Sequence, residues 1–155
     1  MGAMTTIRMA LSGEAGDIDA FLAAHVRPAS GGGHTLDFDT LLACDHSRSW
    51  EGMYEAWGCR SHGWDFEVVT RIPTTVELRF EVKGAEARAE PVLAEIARRY
   101  PGLFGTFAMV PDTETWAAQG LLHEGKLHLQ EAEWTEAMYA LVEGHAYGEA
   151  PGEED

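Results

Sequence analysis

The cleanest alternation of apolar and polar residues lies at residues 76–83. There Val76, Leu78, Phe80 and Val82 interleave with Glu77, Arg79, Glu81 and Lys83. A period of two predicts a half-buried strand, its outer face carrying charges of alternating sign. Ile7, Met9 and Leu11 alternate in the same way and predict a strand over 5–11. Residues 103–110 are apolar on both faces, which predicts a central strand. Further strands are expected at 66–72, 116–122 and 126–129, the last two joined by the Glu124-Gly125 turn.

Helical spacing appears in four places. Ile18, Phe21, Leu22, His25 and Val26 predict a helix from an Asp17 cap to about residue 26, stopped by Pro28. His25 on its apolar face reads as a partly buried, hydrogen-bonded residue and not a ligand. Trp50, Met53, Tyr54 and Trp57 follow the i, i+3, i+4, i+7 rule, with Ser49 as the cap and Gly58 just past the end. Val92, Leu93, Ile96, Ala97 and Tyr100 form a stripe behind Pro91, with Arg98 and Arg99 at the favourable C-terminal end. Thr135 caps a last helix to about residue 144, with Trp134 and Tyr139 as a hydrophobic staple. The glycine run 31–33 has no following Lys-Ser/Thr and reads as a loop. Residues 36–39 read as an extended, solvated edge on which Asp37 and Asp39 form a carboxylate pair without a third ligand in sequence. The recurring strand–helix–strand order suits an α+β, ferredoxin-like domain over residues 4–147: a mostly antiparallel sheet with helices packed on one face. Residues 148–155 form an acidic flexible tail.

Composition changes the picture mainly through charge. Eleven Lys and Arg against 26 Asp and Glu give a net charge of −15. Nothing basic follows Lys126, whereas eight acidic residues do. This argues against direct nucleic-acid binding through phosphates, which needs a positive footprint. It suits either high solubility or a protein partner with a basic surface. No apolar run approaches the ~20 residues of a membrane helix, and residues 1–8 have no apolar signal-peptide region, so a cytoplasmic location is expected.

The stretch 50–65 concentrates the unusual residues. Three of the five tryptophans fall in it. Two readings stand: the indoles clamp a glycine-bounded loop onto a core, or the loop offers a binding set of Trp57, Arg60, Trp64 and Asp65, with His62 beside them. Cys44-x-His46 and Cys59-x-x-His62 flank the short helix and supply four ligand types that zinc accepts, though not at a standard finger spacing. The other reading is two separate thiols and surface histidines. Catalytic signatures are missing: there is no Gly-x-Ser-x-Gly, and His123-Glu124 lacks a second histidine.

Trp57-Gly58-Cys59-Arg60 followed by Trp64-Asp65 resembles the WGTKW signature of the Api92-like, YubB-type ferredoxin-like proteins of phages and plasmids. Leu36-Asp37-Phe38-Asp39 is similar to that family's FDF stretch. Glu90-Pro91-Val92-Leu93 with Tyr100-Pro101 resembles its proline-led helix, and Gly120 with Glu124-Gly125-Lys126-Leu127 its closing hairpin. The similarity spans about residues 5–130. Ser61-His62-Gly63 is an insertion within the signature, and Ala43-Cys44-Asp45-His46 replaces a proline-rich run. The resemblance implies a ferredoxin-like fold and a mobile-element setting, with no assigned reaction. Joined to the charge, it raises the expectation of a non-enzymatic accessory protein. Such a protein would bind a basic partner, as a nucleic-acid mimic of the anti-CRISPR or anti-restriction type. The alternative is a small enzyme or zinc-containing module centred on residues 50–65.

Overall fold

A computed structural model describes residues 3–44 and 50–149, apart from the side chain of Trp50. In chain order the elements are β1 (Met4–Ser12), α1 (Ala15–His25), β2 (Val26–Pro28), β3 (His34–Leu36) and a 3-10 turn (Phe38–Thr40). Then come α2 (Trp50–Trp57), β4 (Gly63–Ile72), β5 (Thr75–Lys83), α3 (Glu90–Arg99) and β6 (Phe104–Pro111). The chain closes with β7 (Ala117–His123), β8 (Lys126–Ala132) and α4 (Glu136–Glu143).

All eight strands join one antiparallel sheet in the order β2-β3-β4-β5-β1-β6-β7-β8. The fold is α+β, and its sheet has twice the four strands of a ferredoxin-like core. The two strands with the clearest alternation, β1 and β5, lie side by side near its middle. Ile7, Met9 and Leu11 from β1 and Val76, Leu78, Phe80 and Val82 from β5 are fully or almost fully buried on one face. The apolar sides of α1 and α3, together with Trp57 of α2, complete that core.

Helices occupy both faces, which corrects the one-face expectation. On the far face Ala108, Val110 and Ala117 form a small apolar patch, and α4 covers it with Val142, Met138 and Tyr139. The apolarity of β6 on both sides therefore has a partner on each side. Among the described residues no helix is long and apolar enough to cross a membrane.

Other boundaries differ for local reasons. Helix α1 starts at Ala15 behind Glu14, so Asp17 lies in its first turn and does not cap it. It ends at His25, and the residues expected to stop it become β2. The extended reading of 36–39 holds only to Leu36. Asp37 then accepts a hydrogen bond from the Asp39 N–H at 3.0 Å and folds the chain into the 3-10 turn. Helix α4 has the expected cap: the Thr135 hydroxyl accepts from the Met138 N–H at 3.0 Å. Its staple is also present, with Trp134 and Tyr139 ring centroids 6.3 Å apart. Gly58 ends α2 with φ +77°, a conformation open to glycine, and any Cβ there would stand 2.9 Å from Pro91 Cδ. Ser49 and residues 150–155 of the tail lie outside the described residues.

Candidate functional site

The loop after α2 is built on the Asp37 turn. Phe38 is fully buried and meets Trp57 edge-on, with centroids 5.6 Å apart. Trp57 is also fully buried, and its Nε1–H donates to the Leu42 carbonyl oxygen at 2.7 Å. The His62 ring packs 4.8 Å from the Trp57 ring. Its Nδ1 accepts the Phe38 N–H at 3.0 Å and lies 3.5 Å from Asp37 Oδ1, while its Nε2 lies 4.0 Å from Asp39 Oδ2. An Nδ1 that accepts leaves the neutral ring protonated on Nε2, facing Asp39.

Burial pushes the Asp37 carboxyl up. The Arg27 hydrogen bond and charge, the Asp39 N–H and nearby His62 outweigh this and hold it below the usual carboxylate range. His25 anchors the other side of the turn, its carbonyl oxygen accepting the Asp37 N–H at 2.7 Å. Thr40 spends its only hydroxyl proton on the Asp37 carbonyl oxygen. The 2.6 Å contact between His25 Nδ1 and Thr40 Oγ1 therefore needs a proton on Nδ1. Nε2 then accepts from the Tyr100 hydroxyl at 2.7 Å. Both bonds fit a neutral imidazole, and burial followed by the Arg99 charge lowers its pKa against a smaller upward pull from Asp37. His25 is hydrogen-bonded as expected, and more deeply buried than the partly buried position expected.

Asp37, Asp39 and His62 bring three ligand-type atoms within 4.8 Å of one another. His62 supplies from β4's loop the third group that the sequence around the two aspartates lacked. The geometry is nonetheless that of a locked turn. Asp37 accepts from Arg27 and the Asp39 N–H, Asp39 from the Cys44 N–H, and His62 from the Phe38 N–H. The two carboxylates also approach different nitrogens of the imidazole, so one ion could not use both contacts as they stand. Of the zinc quartet, His46 lies outside the described residues. Cys59 is fully buried, its thiol is 3.3 Å from the Ser61 carbonyl oxygen, and burial pushes its pKa up to about 12, which disfavours the thiolate a metal needs.

The four predicted binding residues separate. Trp57 faces the core and is fully buried. Arg60 is half-buried, its N–H held by the Lys83 carbonyl oxygen at 2.9 Å. Trp64 leaves 40% of its surface in water on β4, and Asp65 beside it is exposed with φ +51°. The stretch thus divides into a buried half at Trp57 and an exposed half at Trp64 and Asp65.

Charge organises the opposite face. Arg79 bridges Glu143 at 2.7 Å, Glu67 at 3.4 Å and Glu81 at 3.7 Å, and Arg8 pairs with Glu77 at 2.6 Å. Arg27, Arg71, Arg88, Arg98 and Arg99 also pair with carboxylates. At least seven of the eleven basic residues are therefore held in pairs within the molecule, and the excess acid is left over. Two of the exposed carboxylates, Glu114 and Glu136, act on a ring cluster beside α4. Trp134, Tyr139 and Tyr147 meet edge-to-face at 5.1–5.3 Å across Tyr147, whose hydroxyl donates to Glu114 at 2.8 Å. That hydrogen bond, then burial and the charges of Glu114 and Glu136, push the Tyr147 pKa up. Burial, then Glu143 and Glu114, does the same to Tyr139. The staple pair was legible in sequence. The approach of Glu114 and Tyr147, 33 residues apart, was not.

Comparison with protein families, curated proteins and solved structures finds no match to the chain.

Proposed function

We propose that the chain is a non-enzymatic binding protein that presents an acidic, aromatic-studded surface to a protein with a basic surface. The observation that carries this is the fate of the positive charge. At least seven arginines are held in internal ion pairs, one of them on Glu143, while Glu114 and Glu136 stand exposed by the ring cluster, Glu114 accepting the Tyr147 hydroxyl. Carboxylates beside aromatic faces attract lysine and arginine both by charge and through the ring quadrupole. The partner class is a nucleic-acid-handling protein whose basic groove the chain fills, as an anti-CRISPR or anti-restriction mimic does. The Api92-like resemblance supports the mobile-element setting. A ferredoxin-like core is supported by β4-β5-β1-β6, joined through α1 and α3, with β2-β3 and β7-β8 as extensions on either side.

Titration against purified restriction endonucleases and CRISPR nucleases tests it. Binding should be displaced by duplex DNA and should weaken about tenfold or more between about 50 and about 500 mM salt. Binding to none of them, or binding indifferent to salt, overturns the proposal. A metal-dependent module centred on residues 50–65 is the second reading, and the meeting of His62 with Asp37 and Asp39 is what favours it. Elemental analysis showing less than about one tenth of a metal ion per chain ends it.

A further inference from the structure

The outer edge of β4 is open where its neighbour stops. β5 pairs with β4 along its inner side as far as Ile72. On the outer side β3 reaches only from Gly63 to Phe66, through the pairs Leu36–Gly63 and His34–Phe66. No strand among the described residues pairs with the outer edge over residues 67–72. An edge of this kind offers unpaired N–H and C=O groups to any extended chain. The far end is partly closed: the Arg71 guanidinium donates to the carbonyl oxygens of Ile72 at 2.9 Å and Pro73 at 3.2 Å and pairs with Asp19 of α1. The open stretch is therefore 67–70.

Three further features surround it. Trp64, Val68 and Ile72 are 40%, 44% and 54% exposed, and they are half of the six large hydrophobic residues exposed in the described chain. Beside the edge lies a cleft of about 600 Å³ whose apolar walls include Leu22, Val26, Pro28, Phe66 and Val68. Asp65 and Glu67 stand exposed along the strand, Glu67 also reaching Arg79 at 3.4 Å.

We propose that this edge is a strand-docking site for an extended segment of a partner protein in which apolar residues alternate with lysine or arginine. The segment continues the line of β3 and hydrogen-bonds to the β4 backbone. It places its apolar side chains in the cleft and its cations against Asp65 and Glu67. Charge chooses this occupant over a second copy of the chain, since each copy would bring its own −15. The proposal rests on reading the chain as a protein-binding module and adds a second surface, distant in sequence from the rings beyond α4.

The probe is an octapeptide of alternating lysine and valine, titrated into the full-length protein and followed by backbone amide shifts. The shifts are expected at residues 64–72 and 22–26. Val68→Lys, at an exposed position, should weaken binding about tenfold or more, as should N-methylation of the peptide's valine nitrogens, which removes its donors on one edge. Glu133, next to Trp134, and Glu136, at the start of α4, are both exposed, and the double variant Glu133→Lys/Glu136→Lys should bind within about twofold of the unaltered protein because it alters the other surface. Shifts centred beyond α4, lost in the double variant and indifferent to Val68→Lys, overturn the docking edge while leaving the acidic-surface reading standing. Equal binding of the N-methylated peptide overturns it, as does no binding at all. Sedimentation showing self-association that Val68→Lys abolishes also overturns it, by making a second copy the occupant.

Discussion

Trp57 is fully buried with its indole N–H held by a carbonyl oxygen, whereas Trp64, seven residues on, leaves 40% of its surface in water. The two residues bracket one loop, yet only the first is reached by the core. Trp57 has Phe38 edge-on at one side and His62 at the other, because the Asp37 turn delivers both to it. Trp64 stands on a strand whose outer neighbour is three residues long. The difference teaches that aromatic density in a sequence marks neither burial nor display. Burial follows where polar groups close a turn over the ring, and display follows where a sheet runs out of partners.

Truncating the buried side should break the comparison most severely. Trp57→Ala removes the largest fully buried side chain among the described residues and leaves the Leu42 carbonyl oxygen without that donor. A loss of about 3–5 kcal/mol is expected in denaturant unfolding.

Acid should act on the same side next. Burial and Arg99 favour neutral His25 in the fold, so the unfolded chain takes up a proton near 6.5 while the folded chain resists until lower pH. That stability is present above 6.5 and is lost as the pH falls through the lowered value in the fold. Asp37, also lowered, adds a second loss below its ordinary 3.8. The unfolding midpoint should therefore drop as the pH is lowered from 7, and His25→Gln should flatten the first part of that drop. An unchanged slope in the variant would place the titration elsewhere.

The smallest effect belongs to the displayed side. Trp64→Ala should cost about 1 kcal/mol or less, since much of that indole is already solvated. A loss matching that of Trp57→Ala would erase the distinction between the two tryptophans.

Much of this was written locally. The alternation of residues 76–83 and 5–11 set two neighbouring strands, because one face of a strand repeats every second residue whatever lies above it. Pro91 with the apolar stripe behind it set α3, and Thr135 with its staple set the start of α4. The tertiary structure alone decided the rest. Residues 36–39 alternate like a strand, but the Asp37 side chain outcompetes sheet pairing and turns the chain. The acid excess was countable from the composition, but which arginines would be neutralised depended on pairs as distant as Arg79 and Glu143. The meeting of His62 with Asp37, the closing of α4 over the second face and the bare edge of β4 all depend on neighbours far away in sequence. Periodicity reports which side of an element is apolar. Only packing determines what, if anything, comes to cover it.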